Sequence, residues 1–292
     1  MENKKIVGIG NFGIENVKIG LNKDSFPGGA GFRFALFAAL YGPSLKIFTI
    51  VDQRPMWSEA LGALRDYGVD IEGIKYCDSG ISFYTFYNDQ GELLKFRIVN
   101  SRLMSDISKL DIGSSLDEET IFHICPLDYD SQARLVQIGI QSHTCVSIQM
   151  HYSSINSFNR VKYIDLIGKS NLVFMTGNEA SLLTEAKSIE EAGKLLSKLI
   201  DGSLFITRGS QGITVWSNQA KLFDALPIPV TNPANLEGAG DAFAAGVVAG
   251  LVKTNDIRYS TILGLMTAAT CIQFKSTREV IRFISQINYE KR

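Results

Sequence analysis

A run of small residues late in the chain carries the clearest chemical signal. Gly238-Ala239-Gly240-Asp241 precedes a further Ala- and Gly-rich run through Gly246, which predicts a helix that begins with exposed backbone amides. The positive end of the helix dipole lies at those amides, so the helix start is a candidate phosphate site. Asp241 falls in the first turn, where a carboxylate is either an ordinary helix-start residue or a group with a chemical role, and composition alone does not separate the two.

Two further glycine patterns lie near the N-terminus. Gly28-Gly29-Ala30-Gly31 precedes a predicted helix, and its paired glycines permit either a close approach to a ligand or a tight turn. Gly8-x-Gly10-x-x-Gly13 has the spacing of a dinucleotide fingerprint, but a strand-like alternation follows where the fingerprint requires a helix. A nicotinamide-dependent reductase is therefore the third-ranked hypothesis. The chain has no G-x-x-x-x-G-K-[ST] sequence, which excludes a Walker-type phosphate loop.

The elements that must position these motifs alternate in type. Short apolar runs predict buried strands at Ile6–Ile9, Lys46–Val51, Thr144–Ile148, Leu172–Met175, Leu204–Thr207 and Ile213–Trp216. Helices are predicted at Gly31–Tyr41, Met56–Tyr67, Ser131–Gln141, Ser188–Ile200, Gly240–Leu251 and Ile257–Phe274. This alternation predicts a three-layer α/β/α sandwich with a mainly parallel central sheet, formed by one domain over residues 1–292.

One region departs from the alternation and predicts a small β-strand lid. Val17, Ile19 and Leu21 alternate with polar residues, and the segments Ile81–Tyr87 and Leu93–Val99 flank a turn-like Asn88-Asp89-Gln90-Gly91. We expect antiparallel lid strands at about residues 14–26 and 76–102, inserted into the single domain.

Composition limits the classes of function. The 292 residues are 45% hydrophobic and 20% charged, with a formal charge of -1, so a folded globule is expected and a basic surface for nucleic acid is not. The four cysteines form no C-x-x-C pair and the three histidines no H-E-x-x-H pattern, which disfavours a zinc site. The apolar run that follows Lys5 is too short for a signal peptide or a membrane span, so we expect a cytoplasmic protein with no membrane partner.

These motifs, in this order, resemble the ribokinase-like (PfkB) family of sugar and nucleoside kinases. The resemblance is carried by Gly10-Asn11, Gly28-Gly29, Gly68-Val69-Asp70, Gly177-Asn178-Glu179, Thr207-Arg208-Gly209-Ser210-Gln211-Gly212 and Gly238-Ala239-Gly240-Asp241. It implies a ribokinase-like fold and an ATP- and Mg²⁺-dependent transfer of phosphate to a hydroxyl of a sugar, nucleoside or related polyol. It also implies Asp241 as the general base and the amides of Gly238, Ala239 and Gly240 as the anion hole.

The resemblance implies roles for other residues as well. Four residues match substrate-binding positions: Glu15, Gly28, Gly29 and Arg33. Five match positions around the nucleotide: Asn178, Thr207, Arg208, Gly209 and Gly212. Glu179 is the candidate metal-binding residue. Relatives often pair their lids between two subunits, which makes a homodimer through the lid a further hypothesis.

The sequence departs from the family pattern at five positions. Glu15 replaces the usual Asp, and Arg33 replaces an Asn; an arginine there indicates either an acidic or phosphorylated substrate or a solvated residue on an amphipathic helix. Ser181 replaces the final acid of N-x-x-E, and Asn235-Leu236 replaces the D-T pair near a monovalent-cation site, so potassium activation is not assumed. These departures keep a second hypothesis open, a catalytically weakened kinase fold that binds a sugar or nucleotide as a regulatory ligand.

Overall fold

The structure, a computed structural model, describes residues 4–88, 93–151, 155–156 and 159–290. A ten-stranded sheet forms its centre, in the order β14-β13-β12-β11-β10-β9-β1-β4-β5, with β6 also paired to β4. Its strands are β1 Lys5–Ile9, β4 Ser44–Asp52, β5 Val69–Asp70, β6 Ile74–Cys77, β9 Thr120–Ile124, β10 Cys145–Gln149, β11 Leu172–Thr176, β12 Ser203–Thr207, β13 Ile213–Ser217 and β14 Ala220–Ala225. The pairs from β5 to β12 are parallel, and β13 and β14 extend the sheet as antiparallel strands.

Helices cover both faces of this sheet. Over the described residues they are α1 Ala30–Ala39, α2 Met56–Asp66, α3 Leu103–Ile107, α4 Tyr129–Gln141, α5 Arg160–Gly168, α6 Gly177–Thr184, α7 Ile189–Ser197, α8 Ala239–Thr254, α9 Ile257–Cys271 and α10 Thr277–Glu290. Side chains alternate along each strand, so Ile6 joins the buried cluster beneath α1 and α8 while Val7 joins the cluster beneath α4 to α7. The predicted three-layer α/β/α architecture with a mainly parallel sheet is confirmed.

A second, four-stranded sheet forms the lid. Its strands are β2 Gly13–Ile19, β3 Asn22–Gly28, β7 Ile81–Tyr87 and β8 Leu93–Val99, in the order β3-β2-β7-β8. Two pairs are antiparallel as expected, but β2 and β7 are parallel because the chain crosses the main sheet between them. Residues 74–77 pair with β4 in the main sheet, so the second lid segment begins after the predicted residue 76. Residues 89–91 of the predicted turn lie outside the described residues.

The parallel strands place the polar residues of interest at one edge. Asn11 follows β1, Gln149 ends β10, Thr176 ends β11 and Thr207 ends β12. The carboxyl ends of parallel strands share one edge of a sheet, where open α/β folds bind their ligands. Within the described residues, no helix is long and apolar enough to cross a membrane.

Candidate active site

A cavity lies at this edge, between the main sheet and the lid. Its volume is about 410 Å³. The lining residues used below are Asn11, Glu15, Gly29, Arg33, Phe83, Phe96, Ile98, Met104, Leu127, Asp128, Gln149, His151, Glu179, Thr207, Glu237, Gly238, Gly240 and Asp241. The cavity therefore brings the start of α8, the start of α1 and the lid strands around one space.

Asp241 lies in the first turn of α8 with its carboxyl group at the cavity wall. The residue is only 7% exposed. Its Oδ1 accepts a hydrogen bond of 2.7 Å from Nε2 of Gln149, and its Oδ2 lies 3.4 Å from Nη1 of Arg33. Burial raises the pKa of Asp241 above its ordinary value, although the charge of Arg33 and the hydrogen bond from Gln149 offset part of that rise.

The start of α8 remains open toward solvent. Gly238 is the N-cap with φ of 82° and ψ of −2°, a left-handed conformation that favours glycine. A Cβ at Gly238 would also lie 2.7 Å from Nε of Arg33, so a larger residue has no space there. Gly240 is exposed. The backbone N–H groups of the first helical turn have no preceding helical turn whose carbonyl oxygens could accept their hydrogen bonds. The Ala239 amide is already used, because it donates a hydrogen bond of 3.4 Å to the carbonyl oxygen of Leu236.

Arg33 joins three carboxyl groups into one cluster, in which Glu15 and Asp241 are buried and Glu237 is exposed. Arg33 pairs with Glu15 from the lid, with Glu237 at 3.1 Å and with Asp241. Arg33 itself is 8% exposed, so the interpretation of a solvated arginine on a helix surface is wrong. The positive charge of Arg33 is paired with three carboxyl groups of the protein itself. Burial lowers the pKa of Arg33, but the three carboxyl groups outweigh it and keep the guanidinium charged.

Glu15 holds the glycine-rich start of α1 in place. Its Oε1 accepts the Gly29 amide hydrogen bond at 3.0 Å and also contacts Arg33. Its Oε2 is buried and has no hydrogen-bond partner among the described residues. Burial raises the pKa of Glu15, opposed by Arg33 and assisted by the nearby Glu237 and Asp241. Gly28 leaves room for this carboxyl group, because a Cβ on Gly28 would overlap it.

Polar side chains beneath the site, Gln132 and His123, interact with Gln149. Its backbone oxygen accepts a hydrogen bond of 2.9 Å from Nε2 of Gln132. Nδ1 of His123 lies 2.9 Å from the Ser147 hydroxyl, and the His123 ring stacks on Phe34 at 3.9 Å between centroids. Burial lowers the pKa of His123 to about 3, with Gln149 opposing that change, so this imidazole is neutral beneath the site.

The residues predicted around the nucleotide occupy two places. Thr207 lines the cavity, whereas Arg208, Gly209 and Gly212 lie in the turn that follows β12, outside the cavity wall. Arg208 lies 3.6 Å from Asp224, and its Nε is buried without a partner among the described residues. Asn178 is exposed near the start of α6. Asn178, Arg208, Gly209 and Gly212 therefore lie outside the cavity wall, and their role around a nucleotide stays a prediction.

Glu179 lines the cavity and also caps the start of α6. It forms a capping box with Thr176, in which Oε2 of Glu179 accepts the Thr176 amide hydrogen bond at 2.6 Å. Among the described residues, no group of three or more His, Cys, Asp or Glu side chains is arranged to hold a metal ion. Mg²⁺ in kinases is usually bound by one or two carboxylates plus substrate phosphates and water, and Glu179 fits that donor set.

Sequence reasoning missed several residues of this wall. It assigned no role to Gln149, His151 or Asp128, although Gln149 ends a buried parallel strand and could have been found from that position. Asn11 was noted only as part of a motif, yet its Oδ1 accepts the Ala30 amide hydrogen bond at 2.9 Å and so caps α1. The departures at Ser181, Asn235 and Leu236 lie outside the cavity wall, and Leu236 is 68% exposed.

Comparison with known proteins identifies the family. The model of the pfkB family of carbohydrate kinases matches residues 19–282. The chain belongs to this family. It is an enzyme of the carbohydrate and nucleoside kinase class, as the resemblance implied.

Three relatives illustrate the similarity. A cytidine kinase from Thermococcus kodakarensis is 26% identical, over 84% of this chain and 87% of that protein. A 5-dehydro-2-deoxygluconokinase from Clostridium botulinum is 22% identical, over 97% of this chain and 91% of that protein. A candidate ribokinase II from E. coli, in complex with ATP and Mg²⁺, has a TM-score of 0.76 and 19% identity, over 97% of this chain and 99% of the other.

Proposed function

We propose that this kinase transfers the γ-phosphoryl group of ATP, with Mg²⁺, to a hydroxyl group of a sugar, nucleoside or related polyol. The observation that carries the proposal is the position of Asp241: a buried carboxyl group at the cavity wall, in the first turn of α8 and directly after the exposed Gly240. An acid beside free helix-start amides supplies both a proton acceptor and an anion site. The ATP and Mg²⁺ complex of the E. coli relative supports the choice of phosphoryl donor.

The chemical roles follow from the geometry. Asp241 accepts the proton of the acceptor hydroxyl as its oxygen bonds to the γ-phosphorus and the bond to the departing ADP oxygen breaks. The amides of Gly238, Gly240 and Asp241 donate to the transferred group, and the weaker position of the Ala239 amide makes it a minor donor. Glu179 would hold Mg²⁺ through water, and the ion would neutralise charge on the ATP phosphates. Thr207 and the turn containing Arg208 would border the nucleotide.

Two side chains orient the base. Gln149 donates to one carboxylate oxygen of Asp241 and Arg33 faces the other, so the carboxyl group has little rotational freedom. The lid strands close one side of the cavity, and their apolar residues reduce the access of water, which would otherwise compete as phosphoryl acceptor.

The test is Asp241→Asn, which keeps the shape of the side chain and removes the proton acceptor. We expect turnover to fall about 100-fold or more while ATP affinity changes little, measured by coupled ADP formation and calorimetric titration. Asp130→Asn is the matched control, because Asp130 is also an acid in the first turn of a helix but lies away from the cavity. Near-normal turnover of Asp241→Asn would contradict the assignment of the base.

The second candidate is a kinase fold with weakened catalysis that binds its ligand for regulation. The contact between Arg33 and Asp241 favours it, because a base already paired with a guanidinium is a weaker proton acceptor. The same two assays separate the candidates. Binding of ATP and a sugar or nucleoside without ADP formation would support the regulatory role.

A further inference from the structure

One side of the cavity is an apolar wall, which we define as Phe83, Phe96, Ile98, Met104 and Leu127. The Phe83 and Phe96 rings are nearly parallel, with an interplanar angle of 14° and centroids 6.4 Å apart. Phe96 is 52% exposed and Ile98 is 36% exposed, so the wall is not covered by the protein itself. A flat ring packed against aromatic faces buries apolar surface and gains from stacking. A small sugar without such a ring would leave much of the wall in contact with water.

The rest of the charged lining is mostly acidic, and Glu15 lies directly beside Phe83 across the β2–β7 pair. Five carboxyl groups among the described residues line the cavity, against one guanidinium: Glu15, Asp128, Glu179, Glu237 and Asp241, with Arg33. Three of those acids already share Arg33. An acceptor with its own carboxylate or phosphate would place a further negative charge beside these five carboxyl groups, and like charges in a binding site repel each other. The electrostatics therefore disfavour the acidic or phosphorylated substrate that Arg33 suggested in the sequence.

One hydrogen-bond acceptor among the carboxyl groups remains unused. Glu15 Oε2 is buried and without a partner among the described residues, and Glu15 lines the cavity. A buried acceptor without a partner is costly, so this oxygen favours a ligand that donates a hydrogen bond from a hydroxyl group. A ligand that carries both hydroxyl groups and a flat ring satisfies the carboxyl groups and the apolar wall.

We infer that the phosphoryl acceptor is an uncharged nucleoside. Its ribose hydroxyls face Glu15, Gln149 and Asp241, and its base packs on the apolar wall. Sugar acids and sugar phosphates are disfavoured by the acidic cluster. This inference rests on the proposed function, since it names the substrate class of the same site.

The first experiment is a substrate panel with the full chain, ATP and Mg²⁺, followed by coupled ADP formation. The panel contains cytidine, uridine, adenosine and inosine, the neutral sugars ribose and fructose, the sugar acid gluconate and the sugar phosphate fructose 6-phosphate. We expect at least one nucleoside to have a kcat/KM about tenfold or more above every sugar, with gluconate and fructose 6-phosphate lowest. A sugar, sugar acid or sugar phosphate as the best acceptor would overturn the inference and leave the proposed phosphotransfer intact.

The second experiment changes the apolar wall. Phe96→Ala should lower kcat/KM for the best nucleoside about tenfold more than kcat/KM for ribose, because only the nucleoside loses a stacking surface. Tyr76→Ala is the control, since Tyr76 is an aromatic residue of similar exposure, 60%, outside the cavity. Equal losses for nucleoside and ribose in Phe96→Ala would overturn the role of the wall.

Binding measurements separate this inference from the proposed function. Calorimetric titration of the same panel without ATP reports acceptor affinity whether or not phosphate is transferred. Nucleoside binding without ADP formation would contradict the proposed phosphotransfer and support the substrate class. Tighter binding of gluconate than of any nucleoside would overturn the substrate class alone.

Discussion

Asp241 is held by side chains that lie far from it in the sequence. Gln149 comes from the end of β10 and Arg33 from α1, and each contacts a different oxygen of the same carboxyl group. The Gly-Ala-Gly-Asp run predicted which acid lies at the helix start. Neither partner could be assigned from the sequence, because the contact depends on the order of strands in the sheet and on how α1 packs beside α8.

Gln149→Leu tests this arrangement at the residue scale. The Gln149 hydrogen bond lowers the pKa of Asp241, so its loss should raise that pKa. A base must be deprotonated to act, and the acidic limb of the kcat/KM profile should therefore move to higher pH, with kcat reduced about tenfold. The profile is measured by coupled ADP formation from pH 5 to 9.

The control for this variant is Gln141→Leu, on the exposed end of α4. A second variant, Gln149→Glu, places another carboxyl group against Asp241 and should move the acidic limb further in the same direction. A Gln149→Leu enzyme with lower kcat and an unshifted profile would indicate a structural role alone.

At the scale of elements, hydrogen bonds made by Asp52 and Arg54 connect the end of β4 to the start of lid strand β7. Asp52 ends β4 and accepts the Gly80 amide hydrogen bond at 3.0 Å, immediately before lid strand β7. It also accepts from Nε of Arg54 at 2.7 Å, while Arg54 donates to the Ser82 hydroxyl at 3.2 Å. The lid strands could be predicted from their alternating pattern, but this attachment could not, since it depends on where β4 ends relative to β7.

Asp52→Ala should loosen that attachment. Asp52 is 4% exposed, so the change leaves a buried amide without its acceptor and should lower the free energy of unfolding by about 1–3 kcal/mol. Burial raises the pKa of Asp52, but hydrogen bonds from Arg54 and Gly80 outweigh it and the net shift is downward. The stabilisation is therefore present above the ordinary aspartate pKa and is lost as pH falls through the lowered value.

Urea unfolding at several pH values checks this prediction. The difference between wild type and Asp52→Ala should be largest near pH 7 and shrink in acid. Asp66→Ala, at the exposed end of α2, serves as the control. A difference that stays constant down to pH 3 would show that the ionised carboxylate is not what stabilises the junction.

At the scale of the molecule, the lid leaves an apolar surface uncovered. Leu21 is 97% exposed, Leu94 is 66% exposed and Ile19 is 44% exposed. Strand β8 is an edge of the lid sheet, with a row of backbone groups and no further strand beside it in the described chain. At the other edge, the backbone oxygens of Ser25 and Pro27 in β3 accept hydrogen bonds from Arg278 and Thr277 of α10. Exposed apolar surface next to a free strand edge is typical of an interface. We therefore predict a homodimer formed through the lids.

Light scattering after size exclusion tests the dimer. Wild type should elute with twice the chain mass of 32.1 kDa, and Leu21→Glu combined with Leu94→Glu should shift it to the monomer. Leu195→Glu is the control, because Leu195 is 45% exposed on α7, far from the lid. A monomeric wild type over the micromolar range would contradict the prediction.

The sequence by itself determined the alternation of strands and helices, the lid and the acid at the start of α8. These are local properties: periodicity sets the element type, and a run of small residues sets the open helix start. The tertiary structure alone decided that Arg33 is buried and paired with Glu15, Glu237 and Asp241, and that the apolar wall lines the same cavity. Those facts depend on contacts between residues up to 208 positions apart, and such contacts exist only once parallel strands align their carboxyl ends at one edge.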